Sequence, residues 1–117
     1  MKWHIEFYET LSGFCPVIEF IEKLTDGKLK TKLRVRIGLL EDKGIYLSEP
    51  NAEKLTNTDM WELKVKHKRN EYRILYFFSG VKVILVHAFM KKTQKVPRRE
   101  IKLAEKRKRD WERRFKK

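Results

Sequence analysis

Near the amino terminus, Trp3, Ile5 and Phe7 alternate with His4, Glu6 and Tyr8, the period-2 signature of a half-buried strand. Gly13 and Pro16 interrupt the pattern, and proline is tolerated in the first turn of a helix, where its missing N–H loses no partner. Val17, Phe20, Ile21 and Leu24 give that helix an apolar face. Asp26-Gly27 breaks the run. Leu29, Leu33, Ile37 and Leu40 follow at spacings of three or four, with Gly44 placed to end the second helix in the left-handed conformation. Two helices joined this tightly predict an αα-hairpin.

Residues 48–59, rich in Ser, Pro, Asn and Asp, read as a loop with one short turn. From Trp61 to Lys66 apolar and charged residues alternate, so this strand presents one wet face carrying Glu62, Lys64 and Lys66. His67-Lys68-Arg69-Asn70 makes the turn into a second strand, Tyr72 to Phe78, bounded by Ser79-Gly80. Val81 to Phe89 is apolar at nearly every position, as suits a central strand covered on both faces. From Pro97 onward, Ile101, Ala104, Lys108, Trp111 and Phe115 form a narrow stripe at helical spacing on a helix otherwise dense in Lys and Arg. That helix should lie on the sheet. The predicted order is β-α-α-β-β-β-α: an α+β fold with a small, mostly antiparallel sheet, an N-terminal helical hairpin and a C-terminal helix, in a single domain over 1–117.

Composition narrows the setting. Hydrophobic residues at 41% and aromatics at 12% are too many for a disordered basic tail, despite 38% charged residues. The single Cys15 excludes an intramolecular disulfide and a cysteine-rich zinc site. The amino terminus lacks the basic-then-apolar pattern of a signal peptide, and the apolar stretch Val83 to Met90 falls far short of the roughly 20 residues that cross a bilayer. The expectation is a reducing, cytoplasmic setting with no membrane partner.

Charge supplies direction. The first 60 residues carry 9 Lys or Arg against 10 Asp or Glu, and the remaining 57 carry 20 against 6, so a net charge of +13 divides into −1 and +14. Charge gathered on one part of a small surface steers polyanions there, which makes nucleic acid the leading partner. The helical hairpin has its own basic residues, Lys28, Lys30, Lys32, Arg34 and Arg36, offset by Glu41 and Asp42; they read as a solvated helix surface.

Candidate chemistry sits where the basic residues meet the strands. Arg73 interrupts an apolar run and places a permanent charge on a sheet face, where it either binds phosphate or pairs with Glu62 or Glu71. Lys91 and Lys92 follow the most buried strand and point to opposite sides if it continues, so one of them belongs to a site; the plainer reading is a charged strand exit. Strand register decides whether Lys64 meets Arg73. This cationic cluster without acids of its own suits metal-free cleavage of RNA better than metal-assisted hydrolysis, and neither a metal motif nor a nucleotide-binding glycine loop is present, so no cofactor is expected. The ribose 2′-OH would attack the adjacent phosphate while Arg and Lys stabilise the growing charge. Crowding among cations would lower the pKa of Lys64 toward that of a base. His87, the competing base, lies in an apolar strand and reads as a satisfied structural histidine. Among the aromatics, Trp61, Tyr72, Tyr76 or Phe78 could stack a nucleobase, with Tyr72 favoured because it adjoins Arg73.

Trp61-Glu62-Leu63-Lys64, Tyr72-Arg73-Ile74-Leu75-Tyr76 and the run Leu85 to Pro97, with Glu100 and Ala104 behind and Leu40, Gly44, Pro50 and Leu55 upstream, resemble the phage-derived HigB-like branch of the RelE/ParE toxin superfamily. The resemblance implies a RelE-like fold and the toxin of a type II toxin-antitoxin system, acting as a ribosome-dependent mRNA endonuclease. Its implied partners are a helix-turn-helix antitoxin, the ribosome with rRNA and mRNA, and operator DNA only through the antitoxin. Its implied catalytic set is Arg73, Lys91, Lys92 and Lys64. Lys64 stands where the family usually has arginine, Ala88 where it has glycine and Val96 where it has threonine. General contact with RNA or the ribosome is expected from Lys66, Lys68, Arg69, Tyr72, Lys95, Arg98, Arg99, Lys102, Lys106, Arg109, Arg113 and Arg114. A non-enzymatic RNA- or ribosome-binding domain and a ParE-like gyrase poison are the competing functions.

Overall fold

The patterns resolve into a sheet with helices on both faces. A computed structural model describes residues 2–116. Its elements are β1 (His4–Phe7), α1 (Pro16–Glu22), α2 (Gly27–Lys43), a 3-10 turn (Gly44–Tyr46), β2 (Ala52–Lys54), β3 (Trp61–His67), β4 (Asn70–Ser79), β5 (Lys82–Lys91) and α3 (Arg98–Phe115). The expected domain limits run one residue further at each end, and those two positions lie outside the described residues.

The sheet order is β1-β5-β4-β3-β2, parallel between β1 and β5 and antiparallel elsewhere. The α+β class, the helical hairpin and the central place of β5 follow the sequence pattern. The loop at 48–59 is a correction: its middle forms β2, whose three residues pair with Trp61 to Leu63. So short a strand leaves no alternation long enough to read.

One face of the sheet packs on α1 and α2. Val17, Ile21, Leu29, Leu33 and Leu40 meet Leu63, Val65, Ile74, Tyr76, Val83 and Leu85. On the other face, Ala104 and Trp111 of α3 meet Leu75, Phe77, Ile84, Val86 and Phe89. Lys108 belongs to this stripe by laying its ammonium over Phe77, 5.4 Å from the ring centroid.

A bulge in β5 changes which residues share a face. Tyr76 pairs with Leu85 but Leu75 pairs with His87, leaving Val86 as the extra residue. Before the bulge, Val83 and Leu85 face α1 and α2; beyond it, Ala88 and Met90 do. His87, Phe89 and Lys91 consequently face the α3 side.

Helix α3 locks this bulge. Arg107 Nη1 donates to the Val86 carbonyl at 2.8 Å and to His87 Nδ1 at 3.2 Å. Arginine is always a donor, so Nδ1 accepts and Nε2 carries the proton, which it gives to Glu100 Oε1 at 2.8 Å. Burial lowers the His87 pKa, and it outweighs the opposing pull of Glu100. His87 is a neutral, doubly satisfied structural residue.

Gly44 ends α2 with positive φ, but at φ 52 and ψ −123 rather than in the left-handed helical region expected. A Cβ there would collide with the Trp3 ring. The indole lies over the glycine and packs edge-on against Phe78. Gly44→Ala should therefore lower stability by roughly 2–3 kcal/mol. Gly38→Ala, inside α2 with open space around it, should raise it by about 0.5–1 kcal/mol. Urea unfolding of both variants checks the pair.

Candidate functional site

Helix α3 covers only part of its side of the sheet. Beyond Leu75 and Phe89, the same face continues into charged residues set by strand register. Lys64 pairs with Arg73, Lys66 with Glu71, and Glu71 with Lys91. Directly paired residues point the same way, so Lys64, Lys66, Arg73 and Lys91 share one open face. The bulge puts Lys91 there; unbroken alternation would have sent it to the opposite side.

Two concavities open on this face. Arg36, Glu49, Lys64, Lys66, Glu71 and Arg73 line a cleft of about 450 Å³. Arg69, Asn70, Glu71, Lys91, Lys92 and Gln94 line another of about 600 Å³. Glu71 belongs to both. The apolar hollow between α1 and α2, lined by Phe7, Ile18, Ile21 and Ile37, contains none of the expected site residues.

Arg73 is 5% exposed. Its Nε donates to Glu62 Oε1 at 2.7 Å, Nη2 to Glu71 Oε1 at 2.6 Å, and Nη1 to the Tyr72 carbonyl at 3.2 Å. Of the two roles open from sequence, the ion pair is the one present, and both candidate partners take part. Burial raises the Glu62 pKa against the opposing charge of Arg73, whereas the hydrogen bond from Arg73 lowers that of Glu71.

Lys64 is also held. Its ammonium lies 2.8 Å from Glu49 Oε1 and 2.6 Å from Glu53 Oε1. Burial alone would lower its pKa, but hydrogen bonds to Glu49 and Glu53 and their charges outweigh that and raise it. The expected shift toward a free base is reversed. The expectation of a cationic cluster without acids also fails: Glu49, Glu53, Glu62 and Glu71 are built into it. Glu62 and Glu71 were visible as neighbours of Lys64 and Arg73, but Glu49 and Glu53 arrive on β2 and its preceding loop.

The remaining expected residues divide by placement. Lys66, Lys91 and Lys92 line the open face with no carboxylate within 4.0 Å among the described residues. Lys68 and Arg69 form the β3–β4 turn. Lys95 is exposed between β5 and α3, and Arg98, Arg99, Lys102, Lys106, Arg109 and Arg113 are exposed on α3. Arg114 is a correction: it donates to Asp110 and to the Glu9 carbonyl and lies over Tyr8 and Phe115. Tyr72 is another, since it is 8% exposed on the α1 side and meets Phe20 edge-on. Trp61, Tyr76 and Phe78 pack together on that same face. These four aromatics pack into or against the core instead of forming the base-stacking surface expected.

A family model described as phage derived protein Gp49-like (DUF891) matches residues 19–109. The chain belongs to the phage-derived Gp49-like family. This family is toxin-like and related to RelE and HigB. The match spans α2, β2 to β5 and most of α3, and so includes every side chain of the open face. No curated protein matches the sequence. No helix among the described residues is long and apolar enough to cross a membrane.

Breaking the Arg73 pair should expose its energetic role. Arg73→Met leaves Glu62 buried without its main counter-charge and should cost roughly 3–5 kcal/mol at neutral pH. Glu62 then binds a proton more readily in the folded variant than in the unfolded chain. The deficit should shrink as pH falls from 7 toward about 4.5 and grow again as it rises. Urea unfolding across that range checks the sign; a deficit independent of pH would rule out Glu62 as its source.

Proposed function

We propose that this member of the Gp49-like family is the toxin of a type II toxin-antitoxin system, with a RelE-like fold extended by the short strand β2. It acts as a ribosome-dependent mRNA endonuclease. The observation that carries this reading is the register that gathers Lys64, Lys66, Arg73 and Lys91 on an open sheet face in a chain of toxin-like family.

In the proposed reaction, the ribose 2′-oxygen attacks the adjacent phosphorus and the bond to the 5′-oxygen breaks. A 2′,3′-cyclic phosphate and a 5′-hydroxyl result. Lys66, Lys91 and Lys92 are available to a phosphate without displacing a carboxylate, and Lys91 and Lys92 stabilise the growing charge. A lysine ammonium protonates the leaving oxygen. Lys64, with its raised pKa, serves as charge rather than base. The side-chain oxygens of Glu71, Glu49 and Glu53 are the proton acceptors in reach of the cleft. Arg73 is a positioning residue that holds Glu71 and anchors the face.

The exposed basic residues of α3, with Lys95, Lys68 and Arg69, are assigned to rRNA and mRNA contact. The antitoxin is the expected protein partner, and operator DNA is reached only through it.

Lys91→Ala/Lys92→Ala should reduce cleavage of translated mRNA in a purified translation system by at least about 100-fold while unfolding at an unchanged urea midpoint. Wild-type protein should leave naked RNA largely intact. Undiminished cleavage by the double variant would remove the two lysines from the site. Intact mRNA with wild-type protein would favour a non-enzymatic ribosome binder, and cleaved DNA trapped on gyrase would favour a gyrase poison.

A further inference from the structure

Strand β2 ends before β3 does, so the outer edge of β3 past Leu63 lacks a strand partner. Lys64 N–H finds the Asn51 carbonyl at 2.8 Å. The carbonyls further along are met by side chains of α2: Arg36 Nη1 donates to the Lys64 carbonyl, and Lys32 Nζ donates to the Lys66 carbonyl at 3.1 Å. One turn earlier on the helix, Lys28 lines a surface with Lys32, Asp26 and Lys68.

These residues keep step. Four helical residues advance about 6 Å and two strand residues about 6.6 Å. Lys28, Lys32 and Arg36 therefore run beside Lys68, Lys66 and Lys64 in opposite chain directions, as two parallel rows of cations along one groove. His67 Nε2, 2.9 Å from Asp26 Oδ2, holds the far end of the strand against the start of the helix. Asp26 Oδ1 also accepts the Lys28 and Leu29 N–H groups.

Carboxylates do not fill the groove. Asp26 is taken by His67, Lys68 and the helix end, and Glu49 by Lys64. Lys28, Lys32, Arg36 and Lys66 have no carboxylate within 4.0 Å among the described residues. Lys32 and Arg36 each spend one donor on a carbonyl and keep others free. By contrast Lys30 points its ammonium at the Glu22 carbonyl on the α1 side, and Arg34 lines the apolar hollow there. The five basic residues from Lys28 to Arg36 are thus not one solvated surface but two sets with different surroundings.

We propose that the groove between α2 and the open edge of β3 binds the phosphate backbone of single-stranded RNA and leads it into the cleft at Lys64. Arg36, Lys64 and Lys66 line both groove and cleft, so the strand passes from one to the other without leaving the cationic surface. The inference rests on the RNA reading of the open face and extends it by a second set of residues. Phosphates engage Lys28, Lys32 and Arg36 whatever the base.

The test compares two charge-matched variants, Lys28→Gln/Lys32→Gln and Lys30→Gln/Arg34→Gln, for binding of a short oligoribonucleotide across a salt series. Each lost phosphate contact reduces the log-log salt slope by about 0.7 on a single strand. The groove pair should flatten the slope by about 1.4, and the α1-side pair should leave it unchanged. All replaced residues but Lys30 are exposed, and urea midpoints confirm that each variant is folded. Equal slopes in both pairs would overturn the inference. So would a slope sensitive to Lys91→Ala/Lys92→Ala but not to the groove pair, an outcome that keeps the open face as an RNA site. Wild-type protein that fails to bind the oligoribonucleotide would overturn the groove, while the ribosome-dependent reading of the open face stands or falls on cleavage in the translation system. Polyglutamate binding that depends on Lys28 and Lys32 while RNA binding does not would assign the groove to an acidic protein partner instead.

Discussion

The constraint on which this face depends is the bulge at Val86. A strand cannot change the side its residues face without an added residue, and β5 needs both orientations. Its first half must bury Val83 and Leu85 under the helical hairpin, and its end must deliver Lys91 beside Glu71 and Arg73. The inserted residue breaks the ladder and leaves a carbonyl to be satisfied. Arg107 satisfies it, and through His87 and Glu100 the helix that covers the core also fixes where the bulge occurs. Packing on one half of the strand and the charged open face at the other are joined by these hydrogen bonds.

Electrostatics on the open face separate anchoring from availability. Arg73 and Lys64 are the most enclosed cations, and each is tied to two carboxylates. Removing Arg73 strands the buried Glu62, so its first effect is on folding, whereas the carboxylates that hold Lys64 are 59% and 48% exposed and mainly fix where its ammonium sits. Lys66, Lys91 and Lys92 carry no such obligation. Their charge is open to an incoming anion.

Much of the fold was legible because its long elements repeat a period. Alternation marked β1 and β3, helical spacing marked the three helices, and an unbroken apolar run marked β5 as central. Strand β2 escaped because three residues hold too little pattern. The face of β3 carrying Glu62, Lys64 and Lys66 is charged, as its alternation predicts, but not wet throughout, since Glu62 lies under Arg73 and is buried. Tyr72 lies away from the open face for a related reason: adjacency to Arg73 in sequence means opposition across the sheet. The carboxylates of the site were harder still. Glu49 and Glu53 stand in a segment without periodicity, and only the pairing of β2 with β3 brings them to Lys64.

The lysine at position 64 makes the most sense in that company. A guanidinium holds a flat fork and satisfies one planar partner well, whereas an ammonium is a point charge whose three donors spread among several acceptors. Lys64 meets Glu49 with two contacts, at 2.8 and 3.1 Å, and Glu53 with one at 2.6 Å. A phosphate arriving there has to displace a carboxylate and recover its attraction for the ammonium. At Lys91 it displaces only water. On the proposed RNA reading, phosphate seating begins at the end of β5 and at Lys66, and Lys64 joins only when Glu49 or Glu53 is released, which would make the acids of the cleft part of its selectivity for a polyanion over a lone phosphate.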